Sequence, residues 1–388
     1  MIRIIKEIDF EQVFALHEYA FQYELSEDKK KERKKRTIIG KFDGEKLLAK
    51  AELIDFKVLI HEKEWNMGGI AGVATWPEHR RKNIVRDLLF TSLEKLRDKK
   101  IPISFLHPLS IEFYRKFGWE LFCDYLQINA QVHDLKFIDN RSGVGKVNIL
   151  DINKQNLSRI NQVYKEFSLK YNGMLLRNES WWNSPYLCID HCAGYVDGHG
   201  EMLGYMLYEI KNHKMLIKEF VTLDIEAKKG LWNFICQHDS MITDVELRCV
   251  VQENLIFMLP NPRVETKIHP YYMGRIVDVE LFLSEYSFEK IEQTVILHIT
   301  DSFATWNQGT VIIKEGEANF FPVKEGSKCS HAPKRGLHID IGSFTALLLG
   351  YKSVNEFKEL GLINGSNKEL ELLQFVITRN SSFFYDLY

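Results

Sequence analysis

The spacing of apolar side chains shifts repeatedly along this chain, and each shift predicts an element. Phe10, Val13, Phe14, Leu16, Ala20, Phe21 and Leu25 recur near a helical period. Two segments of alternating apolar residues follow, separated by Asp43-Gly44, a pair that favours a tight hairpin turn. A further strand over 57–60 turns at 61–64 and leads into a strand over 69–75. From Ile84, the residues Val85, Leu88, Leu89, Leu93 and Leu96 form one stripe while Arg86, Asp87, Glu94, Lys95 and Arg97 face outward, which predicts a helix lying on a sheet. The run IPISFL reads as the next strand. Ser110 then stands as N-cap of a helix reaching Phe117, Gly118 as the residue that ends it, and 119–128 as a closing strand. Antiparallel strands, then a strand, a crossover helix and another strand, make a mixed α/β sheet.

Residues 131–150 read as a polar link, loosest at 139–143. After it the same order returns in faded form: a helix over 157–169, hairpin strands over 194–210, the strand LIKEFVTLD and the helix-like IEAKKGLWNFI. Aligning Thr222 with Thr75 sets Gly230 at the place of Asn83, and Lys228 and Lys229 at those of Arg81 and Lys82. Where Tyr114 stands in the first copy, the second has Asn261 between two prolines. The reading is a duplicated domain that has lost its chemistry. Beyond about 285, TVILHITDSFATWNQGTVIIKEGEANFFPV predicts alternating strands, and three short helices follow over 343–349, 354–360 and 368–378. The closing SSFFYDLY is aromatic, unlike a disordered tail, and is expected to be buried.

At 388 residues, two or three domains are expected. A net charge of −2 provides no global field for nucleic acid or an anionic membrane. The run SEDKKKERKKR places seven basic residues between Lys29 and Arg36 but interleaves no stacking aromatics, so it reads as a solvated helix or loop rather than a nucleic-acid patch. No apolar run nears the roughly 20 residues that span a bilayer, and the charged N-terminus lacks a signal-peptide core; a cytoplasmic protein is expected. Cys188, His191 and Cys192 find no second pair to complete a zinc site, so the six cysteines read as free thiols and no metal is expected.

The turn Arg80-Arg81-Lys82-Asn83-Ile84-Val85 lies between strand and helix, where backbone N–H groups and the helix dipole bind phosphate. Arg81, Lys82 and Arg86 add charge-assisted contacts. The turn resembles the acyltransferase pattern [Q/R]-x-x-G-x-[G/A], with Asn83 for the first glycine and Val85 for a small residue. Asn is the non-glycine residue most at ease with positive φ. Alone, these six residues serve equally well as the start of a basic helix.

Together, GGIAGVATWPEHRRKNIVRDLL and SFLHPLSIEFYRKFGWE resemble the Eis (enhanced intracellular survival) acetyltransferases of the GNAT class. The resemblance implies an α+β chain of tandem GNAT (acyl-CoA N-acyltransferase) domains, 1–130 catalytic and 131–285 degenerate, followed by a sterol-carrier-protein-like α/β domain over 286–388. It implies acetyl-CoA as co-substrate, with Val73, Ala74 and Thr75 pairing the pantetheine, Arg81, Lys82, Asn83, Ile84, Val85 and Arg86 holding the pyrophosphate, and Leu109 and Ser110 touching the cofactor further along. Tyr114 matches the general acid, and the terminal carboxylate of Tyr388 the general base. The implied acceptors are aminoglycosides and other polycationic amines, as in antibiotic resistance, and the implied assembly is a symmetric homo-oligomer such as a hexamer.

These roles are chemically coherent, because the amine must be uncharged to attack a thioester and the departing thiolate must be protonated. Proton transfer from a phenol near pKa 10 to a thiolate near 8.5 is uphill by about 1.5 units, about 2 kcal/mol. An α-carboxyl near 3.5 is a weak base, which burial among Phe383, Phe384 and Tyr385 would strengthen. A polycation calls for acidic residues, and Glu24, Glu27, Asp28 and Asp386 are the candidates. The rival readings are a non-catalytic acyl-CoA or lipid-binding scaffold and a protein-lysine acetyltransferase.

Overall fold

The structure is a computed structural model that describes residues 1–139, 145–185, 187, 189–323, 335–378 and 380–388; most of the expected loose link, Asn140 to Gly143, and the thiols of Cys188 and Cys329 lie outside them. Two compact units form, neither from a single stretch of chain. The first is Met1–Phe122, Tyr272–Ser382 and Leu387–Tyr388, and the second is Cys123–Tyr271 with Phe383–Asp386. Among the described residues, no helix is long and apolar enough to cross a membrane, and no group of metal-ligating side chains forms. Cys123, Cys192, Cys236 and Cys249 are buried.

The chain opens with β1 (Ile2–Ile4), α1 (Phe10–Phe21), α2 (Glu27–Lys34), β2 (Thr37–Asp43), β3 (Lys46–Ile60) and β4 (Lys63–Thr75). The β2–β3 hairpin turns at Gly44, whose φ is +55°. β3 does not break at 57 as the sequence suggested; it runs unbroken to Ile60 and turns through His61 and Glu62, both at positive φ. α1 stops at Phe21 because Gln22 takes the left-handed conformation (φ +57°), and Ser26 caps α2 by accepting from the Lys29 N–H. The basic run is therefore only partly solvated, a correction to the sequence reading. Lys31, Lys34 and Lys35 are exposed, whereas Arg33 is buried and Arg36 nearly so, both bonded to the buried Glu52.

α3 (Ile84–Asp98) and β5 (Ile103–Leu106) continue the unit, and α4 (Ile111–Arg115) leads to β6 (Glu120–Gln131). Leu88, Leu89, Leu93 and Leu96 are fully buried under the sheet with Ala49, Ala51 and Ile70, so the predicted stripe faces the core.

The second unit holds β7 (Lys146–Ile149), α5 (Lys154–Ser168), α6 (Glu179–Trp182), β8 (His191–Val196), β9 (Met202–Lys211), β10 (Lys214–Thr222), α7 (Ile225–Cys236), β11 (Asp244–Cys249) and α8 (Leu255–Met258). Strands β7 to β10 pair antiparallel in chain order; β11 lies parallel to β10 and antiparallel to β6. The expected match of Lys228, Lys229 and Gly230 with the first unit's basic turn does not hold, because all three lie inside α7. Only two residues separate β10 from α7, and Asp224 caps the helix at once, its Oδ1 accepting from the Ala227 N–H at 2.7 Å.

β12 (Glu265–Ile276) returns to the first unit, where 273–276 pairs antiparallel with β5. After α9 (Val279–Glu285), a second sheet forms from β13 (Val295–Thr300), β14 (Gly309–Lys314), β15 (Glu317–Pro322), β16 (Leu337–Asp340) and β17 (Ile363–Asn364), ordered β15-β14-β13-β16-β17. The helices α10 (Ile341–Leu348), α11 (Val354–Glu359) and α12 (Asn367–Val376) accompany it. As expected of the aromatic end, Phe383 and Phe384 are buried.

Arg275 on β12 is fully buried and donates to the Phe117 carbonyl just beyond α4 and, at 2.5 Å, to Asp301 Oδ2. Gly118 is required beside it, since its φ is +81° and a Cβ there would lie 1.7 Å from the guanidinium. Removing one partner of a buried ion pair strands the other, so Asp301→Ala should destabilise the first unit by about 3 to 5 kcal/mol in urea unfolding, and Asp301→Asn by less.

Candidate active site

β4 and β5 run parallel, yet they pair only where Met67, Gly68 and Gly69 face Ile103, Ser104 and Phe105. β4 continues to Thr75 with one edge open. On its other edge it stays paired with β3 except at a bulge, where Glu52 faces Ala71 and Lys50 faces Ala74, so that Gly72 and Val73 stand opposite Ala51 alone. A cleft of about 610 Å³ opens along the free edge. Val73, Ala74 and Thr75 line it, and the Thr75 Oγ1 is buried with no hydrogen-bond partner among the described residues.

At the end of β4 the chain makes a short 3-10 turn (Pro77–His79) and enters α3 through Arg81 and Asn83, whose φ values are +61° and +57°. Asn83 occupies the N-cap position without a capping side-chain bond. The start of this 15-residue helix is therefore uncapped by Asn83, and its first residues Ile84, Val85 and Arg86 line the cleft, an arrangement that attracts anions. Arg81, Asn83, Ile84, Val85 and Arg86 all line it, as does Arg80; Lys82 is exposed and lies outside the lining. Val85 also packs against the core beneath α3.

The opposite wall follows β5. Ser110 caps α4 by accepting from the Phe113 N–H at 3.3 Å, and Leu109 lines the cleft while fully exposed. Tyr114 is 8% exposed, lines the cleft and meets Trp119 and Phe113 edge-on. Burial pushes its phenol up to about 12. This revises the sequence argument, since full transfer to a thiolate near 8.5 becomes uphill by about 3.5 units, or about 5 kcal/mol.

Sequence reasoning passed over His107, which also lines the cleft directly after β5. Burial pulls its imidazole below the usual 6.5, so it is neutral at pH 7. Its position between the end of a strand and Pro108 was the available signal. Ala20 and Phe21, from the end of α1, complete the wall.

Tyr388 lies in the first unit but outside the cleft lining. Its hydroxyl donates to the Phe105 carbonyl at 2.9 Å, and its ring packs on Phe56 and Tyr272, over Gly69, at the place where β4 and β5 part. One ring separates it from His107, which lies 5.5 Å from Tyr272. Of the aromatic residues before it, Phe383 and Tyr385 belong to the second unit, where they pack with Tyr171 and Phe167.

The expected acidic wall is also missing, since the described lining contains no Asp or Glu. Glu24 is exposed outside the cleft, while Glu27 and Asp28 pair with Lys30 and Lys31 on the surface of α2. Asp386 is buried in the second unit, held by Arg177 at 2.9 Å, the Trp181 indole at 2.7 Å and the Tyr164 hydroxyl at 3.3 Å, because a buried guanidinium requires carboxylate partners.

Comparison with known proteins agrees with this architecture. Residues 1–122 and 173–276 each match an acetyltransferase (GNAT) domain family, and residues 279–385 match a sterol carrier protein domain. An uncharacterized N-acetyltransferase of Streptomyces griseus is 21% identical over 320 residues, which are 75% of this chain and 74% of that protein. A conserved protein of unknown function from Enterococcus faecalis shares the fold with a TM-score of 0.89 at 24% identity, over 100% of this chain and 99% of that one. Eis1 from Mycobacterium abscessus does so with a TM-score of 0.79 at 17% identity, over 100% of both chains. Two GNAT domains followed by a sterol-carrier domain, with the open strand edge and uncapped helix of the first, make this chain a GNAT-type N-acetyltransferase.

Proposed function

We propose that the chain transfers the acetyl group of acetyl-CoA to the amine of a small molecule, within the cleft of its first unit. The observation that carries this reading is the convergence of three features on one cavity: an unpaired strand edge, an anion-attracting helix start and Tyr114. GNAT acetyltransferases use acetyl-CoA, and the residues present suit it. Val73, Ala74 and Thr75 would pair with the pantetheine, with the orphaned Thr75 hydroxyl as an added donor. The start of α3, with Arg81 and Arg86, would hold the pyrophosphate. Leu109 and Ser110 would flank the donor further along, and Lys82, being outside the cleft, would contribute charge at a distance.

Tyr114 would donate to the thiolate as it departs. Its raised pKa keeps it protonated throughout the working range, which suits an acid. Two groups compete for the base. The carboxylate of Tyr388 is the one implied by the Eis resemblance, supported by the fixed ring at the strand fork. His107 is favoured by its neutral state and its place on the same wall as Tyr114. An Eis-type enzyme would take aminoglycosides and act as a homo-oligomer; the fold likeness and the 68–119 stretch support that kinship, while a lining without carboxylates offers no dedicated grip on a polycation. Light scattering tests the assembly.

Thiol release from acetyl-CoA should be measured against aminoglycosides, polyamines, simple amines and basic peptides. Release with a small amine is expected; none across the panel would overturn the proposal in favour of an acyl-CoA-binding scaffold, and release with peptides alone would make it a lysine acetyltransferase. Tyr114→Phe should lower kcat by about 10²- to 10⁴-fold with little change in KM for acetyl-CoA; wild-type rates would return Tyr114 to the core.

With an acceptor of low amine pKa, kcat/KM should fall on the acid side with a midpoint below 6.5, as His107 gains a proton, and should show no descending limb from Tyr114 until pH nears its raised pKa of about 12. His107→Gln should remove the acid limb and most of the rate, while a short extension after Tyr388 leaves both. The reverse pattern would assign the base to the terminal carboxylate.

A further inference from the structure

β3 carries two ionisable residues, Lys50 and Glu52, in the middle of an otherwise apolar run, and both are completely buried. Being two apart, they point to the same face of the sheet. Buried charges are retained at a cost unless they are paired and fully hydrogen-bonded. Glu52 is well served without Lys50, since Arg33 reaches its two oxygens at 2.6 and 2.5 Å and Arg36 donates at 2.9 Å. Lys50 Nζ does contact Glu52 Oε1 at 2.5 Å, but its distinctive bond is to the carbonyl of Gly72, at 2.9 Å. His17 closes the cluster with Nδ1 3.4 Å from Lys50 Nζ; burial and the cations of Lys50 and Arg33 hold its imidazole down at about 3, so it remains neutral.

Gly72 is one of the two residues that the bulge takes out of the β3–β4 register. Its φ of +54° suits glycine, and a Cβ there would lie 2.5 Å from Glu52 Oε1 and 3.0 Å from Lys50 Nζ. No β3 residue stands opposite Gly72 alone, and it is Lys50 that donates to its carbonyl. Both bulged residues, Gly72 and Val73, line the cleft, and the open edge of β4 continues directly from them to Thr75. The rotation of that edge about the strand axis is set by the bulge, and the bulge carbonyl is held by one side chain.

We propose that Lys50 is a positioning residue for the acyl donor: by holding the Gly72 carbonyl it fixes the bulge, and through it the strand edge from Val73 to Thr75 that receives the pantetheine arm. The inference rests on the reading of this cleft as the acetyl-CoA site. Lys50 touches no reacting atom, and either protonation state of its nitrogen donates to the carbonyl. Glu52, itself held by Arg33 and Arg36, bonds the Lys50 ammonium.

The test uses the full chain as wild type, Lys50→Met and Lys50→Arg, with thermal melting as a control. Equilibrium binding is measured for acetyl-CoA and for adenosine 3′,5′-bisphosphate, which carries phosphate groups but no pantetheine. Lys50→Met should weaken acetyl-CoA about tenfold, as expected for one lost hydrogen bond, and the bisphosphate by less than about twofold. Lys50→Arg, which keeps a donor, should recover most of the acetyl-CoA affinity. An unchanged acetyl-CoA affinity in Lys50→Met, or equal weakening of both ligands, would overturn the positioning role. Failure of the wild type to bind either ligand would instead overturn the assignment of the cleft. Should Lys50→Met not melt cooperatively, Lys50→Gln makes the same comparison, with the same outcomes counting for and against.

Discussion

The first unit depends on two parallel strands that stay together for only three paired positions. Once β4 leaves β5 beyond Gly69, its backbone groups along that edge have no strand to satisfy them, and buried peptide groups without partners are costly. The cleft follows from that parting. α3 and its basic turn stand at the end of β4, α4 with Tyr114 stands at the end of β5, and the space between the walls is where a donor can complete the sheet. Outside the cleft lining, the Tyr388 hydroxyl bonds the last β5 carbonyl that still faces β4.

The second unit shows which parts of this plan are dispensable for folding. It repeats the strand–helix–strand order, and β10 likewise pairs with β11 only over its first four residues, Lys214 to Ile217. There the resemblance in chemistry ends. Asp224 places a carboxylate where the first unit leaves the helix start open, and the connection is too short to form a phosphate turn. Past the parting, the Tyr385 hydroxyl donates to the Phe220 carbonyl at 3.2 Å, so the chain's own tail takes up backbone of β10. A cap and a tyrosine thus distinguish the second unit from the first as directly as the missing counterpart of Tyr114.

Buried arginines recur as the fixed points of both units. Arg33 holds Glu52 beside the bulge, Arg275 bonds the Phe117 carbonyl after α4 while pairing with Asp301, and Arg177 lies over the rings of Tyr164 and Trp182 while bonding Glu219 and Asp386. Such pairs contribute little net stability compared with apolar packing, yet breaking one is expensive, so they specify a single arrangement of the backbone they touch. In the first unit that backbone is the bulge and the turn beside Tyr114.

The elements themselves were legible in the chain. Leu88, Leu89, Leu93 and Leu96 announce α3, Ser110 and Gly118 bracket α4, and the cleft wall from Val73 to Arg86 can be named from a strand that runs into a basic turn, because these are local patterns of period, capping and charge. Asn83 at positive φ was foreseeable for the same reason. What only the tertiary structure decided depended on partners distant in sequence. Arg33 within a lysine-rich run is indistinguishable from its solvated neighbours until Glu52, 19 residues away, accepts it. Asp386 looks like an acid available to a cationic substrate until Arg177 and Trp181 claim it. His107 gains meaning only when β4 turns away from β5, and Lys50 reads as a misplaced charge in a strand until the bulge brings it a carbonyl. Local sequence sets which segments fold into which elements. The environment of each ionisable group is set by burial and by long-range pairing, and these exist only once the sheet has formed.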